Sequence, residues 1–199
     1  MQNIRGNMRR QQYYHSSPGY TSEIWHNLRE HDKWVVWSNA FIKLEERGLF
    51  SLHAFVMLGT HVHILFSSPK NEENFLMDSL HQILKQSLRE KNDILEAPLL
   101  SEKIESYQQL LNTYRYIYRN PIEAGITLRA EDYPYSSLSI QLGRKLPFAN
   151  IIDPLNLIQH PARILNWLND SGKSQLYSGF RVRKINQEHQ YVREYLPFR

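Results

Sequence analysis

The chain has 199 residues, of which 41% are hydrophobic and 22% charged, values that fit a globular domain with its own core and exclude wholesale disorder. A net charge of +4 and a pI near 9.2 permit a polyanionic partner without establishing one. There is no cysteine, so disulfide scaffolds, thiolate zinc sites and thiol nucleophiles are excluded.

No apolar run approaches the ~20 residues that span a bilayer. The basic opening, Met1 to Arg10, lacks the apolar segment of a secretory signal. The expectation is a cytoplasmic protein with no membrane association. Residues 1–12 read as a basic arm, with Arg5, Arg9 and Arg10 among Gln and Asn. Tyr13 to Ser17 predicts a short strand, closed by Pro18-Gly19. From 22 to 47 the spacing of Ile24, Leu28, Trp34, Trp37, Phe41 and Leu44 is helical, with a break expected at His31-Asp32 and a C-cap at Gly48.

Residues 50–66 are the most strand-like stretch. Phe50, Leu52, Ala54, Val56 and Leu58 alternate with other residues, Gly59-Thr60 supplies a turn, and His61 to Phe66 reads as the second arm of a hairpin. Residues 72–91 predict an amphipathic helix with Phe75, Leu76, Leu80, Ile83, Leu84 and Leu88 on one face and Lys85, Arg89 and Lys91 on the other. Another short strand is expected within 92–105, and a long helix over 107–119 that stops at Asn120-Pro121. Gly125 and Tyr133-Pro134-Tyr135-Ser136-Ser137 mark loops, and a helix is expected near 161–168 ahead of a basic tail. This order predicts an α+β domain, an antiparallel sheet with helices packed on it. The divisions read as an arm (1–12), a principal domain (13–145) and a helical or irregular C-terminal extension (146–199).

His61 and His63 flank Val62 on a predicted strand, so both imidazoles share one face while Val62, Ile64 and Phe66 share the other, toward a core. Two neighbouring imidazoles disfavour double protonation. Either each is satisfied by backbone carbonyls, or the two neutral rings lend lone pairs to one cation. On the long helix, Tyr116 and Asn120 are four residues apart and share a face, whereas Tyr114 and Tyr118 point away, ~200° around the axis. Tyr116 offers a phenol oxygen to an electrophile and Asn120 a carbonyl oxygen to a metal. The plain reading of that pair is core packing and a C-cap.

Taken in order, these segments resemble a known family. Residues 52–65, around Gly59-Thr60-His61-Val62-His63, are similar to the HUH strand region of the REP-associated tyrosine transposases, relatives of the single-tyrosine insertion-sequence transposases. Tyr116-Ile117-Tyr118-Arg119-Asn120-Pro121-Ile122-Glu123-Ala124-Gly125 resembles that family's tyrosine-helix motif, and residues 133–137 its following loop. The likeness covers roughly 10–145. The sequence departs from the pattern at Gly59-Thr60, where the family has Pro-Asn. It departs again at Ala97 to Lys103, where the family carries a basic stretch like Gly-x-x-x-Gln-Gly-Arg.

The resemblance implies a ferredoxin-like or RRM-like HUH fold. It implies that His61, His63 and Asn120 bind Mg²⁺ or Mn²⁺, although two imidazoles by themselves suit zinc or other transition metals better. It implies that Tyr116 attacks the scissile phosphate of single-stranded, often hairpin-bearing DNA to give a 5′-phosphotyrosine and a free 3′-hydroxyl, which rejoining then consumes. Arg9, Arg10, Lys85, Arg89, Arg181, Arg183 and Lys184 are the basic side chains that would meet phosphates. Either a monomer or a homodimer fits. The alternatives are a catalytically silent hairpin-DNA-binding module of the same fold, or a phosphoesterase that uses the histidines without the tyrosine.

Overall fold

Successive side chains on a strand point to opposite faces, and in this protein helices cover both. The computed structural model describes residues 11–48, 50–69, 72–89, 94–95 and 100–170, with backbone alone at 180–182 and 193–195. β1 (Gln12–Ser16) leads to α1 (Glu23–Asn27) and α2 (Glu30–Glu45). A hairpin of β2 (Ser51–Met57) and β3 (Val62–Ser68) follows, then α3 (Glu73–Leu88), β4 (Ser101–Ile104) and α4 (Tyr107–Glu123). Two further helices, α5 (Leu138–Gln141) and α6 (Pro161–Asn169), complete the first of two units, 1–169 and 170–199. The four strands form one antiparallel sheet in the order β2-β3-β1-β4. The α+β class is as the element order implied, with the strand order of ferredoxin-like and RRM-like folds. In the second unit, β5 (Phe180–Val182) pairs antiparallel with β6 (Arg193–Tyr195), a ladder that no sequence pattern announced. Among the described residues no helix is long and apolar enough to cross a membrane.

The helical stretch after β1 breaks earlier than expected, at Leu28-Arg29. Ser22 caps α1, accepting from the Trp25 amide at 3.4 Å, and Trp25 is buried while Ile24 is exposed. His31-Asp32 does not interrupt the chain. Glu30 and Asp32 occupy the first turn of α2, where negative charge is favoured, and Arg29 forks onto the Asp32 carboxylate at 2.7 and 3.0 Å.

One face of the sheet carries Tyr14, Leu52, Phe55, Met57, Val62, Ile64 and Phe66. These pack with Trp37, Phe41 and Leu44 of α2 and Leu76, Leu80 and Leu84 of α3. Phe75 is left 52% exposed, because consecutive helical positions diverge by ~100° and the buried stripe runs through Leu76. The other face carries Tyr13, Ala54, Val56, Leu65 and Ile104. It lies beneath Leu110, Tyr114, Ile117 and Tyr118 of α4 and Ile164 and Leu168 of α6.

The alternation from Phe50 to Leu58 therefore does not mark one face. The β2–β3 register slips between Leu52, opposite Phe66, and Ala54, opposite Leu65. His53 is the extra residue of a β-bulge, and it turns the strand over, so Leu52 and Ala54 enter different cores. Its ring is locked, with Nδ1 3.0 Å from the Ile152 carbonyl and Nε2 2.8 Å from Ser67 Oγ.

The long helix also outruns its expected end. Pro121 lies inside α4, in its last turns. There it removes one backbone donor near an end that already leaves carbonyls unpaired. The helix closes beyond it. The Ile126 amide donates to the Pro121 carbonyl and the Gly125 amide to that of Ile122, both at 2.9 Å, with Gly125 at φ 69°. This is the Schellman arrangement that glycine enables.

The Tyr133–Ser137 loop covers the outer edge of β2. The Met57 amide donates to Tyr135 O at 3.0 Å, the Ser137 amide to Phe55 O at 2.8 Å, and the Tyr133 hydroxyl to Met57 O at 2.6 Å. An open sheet edge is thereby satisfied without a fifth strand. Arg119 fixes α6 onto α4, donating to the Leu168 carbonyl at 2.6 Å.

Burial lowers the pKa of His53 from 6.5 to about 4, so the folded ring is neutral where the unfolded one protonates. A depressed pKa means that its stabilisation is complete above pH 6.5 and drains away as pH falls toward 4. Between pH 7.5 and 4.5 the wild type should lose on the order of 2 kcal/mol more than a His53→Gln protein, measured by urea unfolding. Parallel losses in the two proteins would remove His53 as the cause.

Candidate active site

On the face beneath α4, alternation brings imidazoles from two strands together. His61 just precedes β3, bridged to Gly19, and the hairpin turn is fixed from both sides. The Leu58 amide donates to His61 O at 2.9 Å, the Tyr20 amide to Thr60 O at 3.1 Å, and the Val62 amide to Pro18 O at 3.2 Å. His63 lies one residue into β3, on the same side as Leu65. The two rings stand nearly perpendicular (85°), with their Nε2 atoms 3.1 Å apart. His63 is 1% exposed, while His61 is half-buried.

Across the sheet, His15 of β1 joins them, with Nε2 3.2 Å from His63 Nδ1. It is 3% exposed and gave no signal in the sequence beyond its place on a strand. Its partners depend on register, which the sequence does not print. On the β4 side, Glu102 lies opposite His15, and the nearest oxygen is 4.0 Å from Nδ1. Thr60 Oγ1 is 2.9 Å from His61 Nδ1.

From above, α4 lowers Tyr116 onto this cluster. Its ring centroid is 5.2 Å from that of His63 and 6.0 Å from that of His15, edge-on to both. The side chain is half-buried. Asn120 follows one turn on, also half-buried, and its Nδ2 donates to the Tyr116 carbonyl at 3.1 Å. That bond is to its own helix rather than to an imidazole, and it is made by Nδ2 rather than by Oδ1.

Tyr114 and Tyr118 turn away and form a different structure. Their hydroxyls both donate to Gln141 Oε1 at 2.7 Å, and Tyr118 also meets Ser137 Oγ at 2.9 Å. Burial raises the pKa of both phenols, so neither ionises readily. Their role is to tie α4 to α5 and the edge-covering loop.

The donor chemistry admits a cation between His61 and His63. Cis ligands of an octahedral ion at ~2.1 Å are separated by ~3.0 Å, and the two Nε2 atoms are 3.1 Å apart. No group of three or more His, Cys, Asp or Glu side chains able to hold a metal occurs among the described residues. The basic residues are more dispersed. Lys85 and Arg89 end the helix that covers the opposite face of the sheet. Arg9, Arg10, Arg183 and Lys184 lie outside the described residues, as does the side chain of Arg181.

Fold and site together define a class: an α+β domain whose antiparallel sheet holds paired histidines after a hairpin turn, faced by a tyrosine on the covering helix. Known proteins share the fold. The chain is 24% identical over 110 residues to a REP-associated tyrosine transposase of Escherichia coli (strain K12), a match covering 54% of this chain and 66% of that protein. The chain thus spans just under two thirds of the relative's length. Its fold matches a solved structure of the REP-associated tyrosine transposase bound to a REP hairpin, with a TM-score of 0.57 and 19% identity over 71% of this chain and 88% of the other. No family model matches the sequence.

Gln141→Ala strips the shared acceptor from two buried phenols and should destabilise the fold by ~2 kcal/mol, more than Tyr114→Phe or Tyr118→Phe alone. Equilibrium unfolding in urea checks this. A Gln141→Ala protein as stable as wild type would show that the two hydroxyls find acceptors elsewhere.

Proposed function

We propose that this chain is a metal-dependent transposase that cuts and rejoins single-stranded DNA, with Tyr116 as the nucleophile. The observation that carries the reading is the edge-on placement of Tyr116 5.2 Å from His63, whose Nε2 faces that of His61 at 3.1 Å. The similarity to REP-associated tyrosine transposases supports it.

In this reading His61 Nε2, His63 Nε2 and Asn120 Oδ1 would hold Mg²⁺ or Mn²⁺. When bound, the ion supplies positive charge at a non-bridging oxygen of the scissile phosphate. Tyr116 does the covalent work. Its oxygen attacks phosphorus in line and gives up its proton, the bond to the 3′-oxygen breaks, and that oxygen leaves as a hydroxyl. The 5′-phosphate stays on the tyrosine as an ester. Its bond is retained, so a second 3′-hydroxyl can displace Tyr116 and join a new strand with no external energy source. The hydrogen bond from Asn120 to the Tyr116 carbonyl stiffens the turn that carries both groups. The structural relative was solved with a REP hairpin, and the substrate proposed for this chain is single-stranded DNA bearing a hairpin. Basic side chains, Lys85 and Arg89 among them, would meet its phosphates and make binding strongly salt-dependent.

Labelled hairpin oligonucleotides incubated with the protein and Mg²⁺ or Mn²⁺ should yield protein-linked label on a denaturing gel. EDTA and Tyr116→Phe should each abolish the label while hairpin affinity persists. Tyr114→Phe and Tyr118→Phe should still form the adduct. Label that survives in Tyr116→Phe would move the nucleophile elsewhere. A wild type that binds hairpins but never acquires label would reduce the chain to a binding module.

A further inference from the structure

Building on the proposed ion site, we infer that His15 and Glu102 are positioning residues that, with Thr60, set the tautomers of His63 and His61. An imidazole offers a lone pair at one nitrogen only while its proton sits on the other, and the partner of that second nitrogen decides which. Both nitrogens of His63 are engaged: Nε2 faces His61, and Nδ1 faces His15 Nε2 at 3.2 Å. On the His15 side, where no cation is proposed, the contact between two neutral ring nitrogens needs one proton between them.

Glu102 decides where that proton lies. It sits 4.0 Å from His15 Nδ1, beyond a hydrogen bond but close enough for its charge to favour a proton on that nitrogen. His15 Nε2 is then the acceptor, and His63 must donate from Nδ1. The lone pair of His63 is thereby left on Nε2, toward His61. On the neighbouring ring the inferred acceptor is Thr60, whose hydroxyl oxygen lies 2.9 Å from His61 Nδ1. Two lone pairs then converge at 3.1 Å, an arrangement that repels itself and welcomes a shared cation.

Register delivers these groups. His15 is opposite Glu102 on β4 and opposite Leu65 on β3, which makes His63 its diagonal neighbour, within reach of a ring. His15 is not a third ligand of the same ion, because its Nε2 meets the side of His63 turned away from His61.

Long-range ¹H–¹⁵N spectra of histidine-labelled, metal-free full-length protein at mildly alkaline pH should show His61 and His63 with the proton on Nδ1. His63 protonated at Nε2 would overturn the proposal. Mn²⁺ titrations followed by electron paramagnetic resonance give the second readout. His15→Ala should weaken Mn²⁺ binding ~10-fold or more, and Glu102→Ala by a smaller factor. His15→Gln, whose amide can accept from His63 and donate toward Glu102, should recover most of the affinity. A folded His15→Ala protein that binds Mn²⁺ as tightly as wild type would overturn the relay. If His15→Ala does not fold, Glu102→Ala decides, and unchanged affinity with an unchanged tautomer would overturn it. A wild type that takes up no Mn²⁺ would count against the ion site itself, while the tautomer spectrum would still judge the relay separately.

Discussion

The registration of β3 against its neighbours is the constraint on which the rest of the molecule depends. Val62, Ile64 and Phe66 enter the aromatic core beneath α2 and α3, while His63 and Leu65 face α4. A slip of one residue would exchange the two sets. It would move three apolar side chains out of the core they fill and into the space beneath α4 that His63 and Leu65 occupy, where a misfit in packing costs ~1–3 kcal/mol. It would also bury imidazoles among Phe55, Trp37 and Phe41, where an unpaired polar group costs ~1–3 kcal/mol. The hydrophobic alternation that makes the strand fold is therefore the same alternation that pairs the histidines. The chemistry of the site needs no separate device to bring them onto one face.

That economy does not extend to β2. A regular strand from Leu52 to Leu58 would place Ala54 and Val56 on the face of Leu52 and turn Phe55 and Met57 toward α4, out of the aromatic core they fill. The bulge at His53 resolves the conflict by reversing the strand midway. The extra residue is polar and buried, and both its nitrogens are bonded, as a ring inserted between two cores requires. Ser67 and the Ile152 carbonyl thus hold the geometry that lets Ala54 and Val56 support α4 and, through it, Tyr116.

How legible each part was in the sequence follows from the range of the interaction that determines it. The hairpin, the shared face of His61 and His63, and the separation of Tyr116 from Tyr114 and Tyr118 are local periodicities, and they could be read directly. The break before α2 was misplaced because a single fork from Arg29 to Asp32, with acidic residues in the first turn, outweighs the turn propensity of His31-Asp32. The end of α4 was misplaced because Pro121 removes only one donor near a terminus that Gly125 goes on to close. His15, Glu102, Ser137 and Gln141 were invisible for a different reason. Their roles arise from pairing between segments far apart in the chain, and nothing near them in sequence encodes a partner.

Thr60 stands where the sequence departs from the motif it resembles. The resembled family has an asparagine there, so what holds the first histidine in this chain is a question of its own contacts. The backbone answers part of it. The Thr60 carbonyl accepts from Tyr20, and the Pro18 carbonyl accepts from Val62, so the turn is fastened to the chain beyond β1 by groups every residue carries. The side chain answers the rest, because a hydroxyl can accept from an imidazole N–H as an amide carbonyl can, and Thr60 Oγ1 lies 2.9 Å from His61 Nδ1. A threonine here puts a hydroxyl within hydrogen-bond reach of His61 Nδ1. Substitution by a residue without a side-chain acceptor would spare the backbone fastening and release the ring alone, which separates the folding of the turn from the aim of His61.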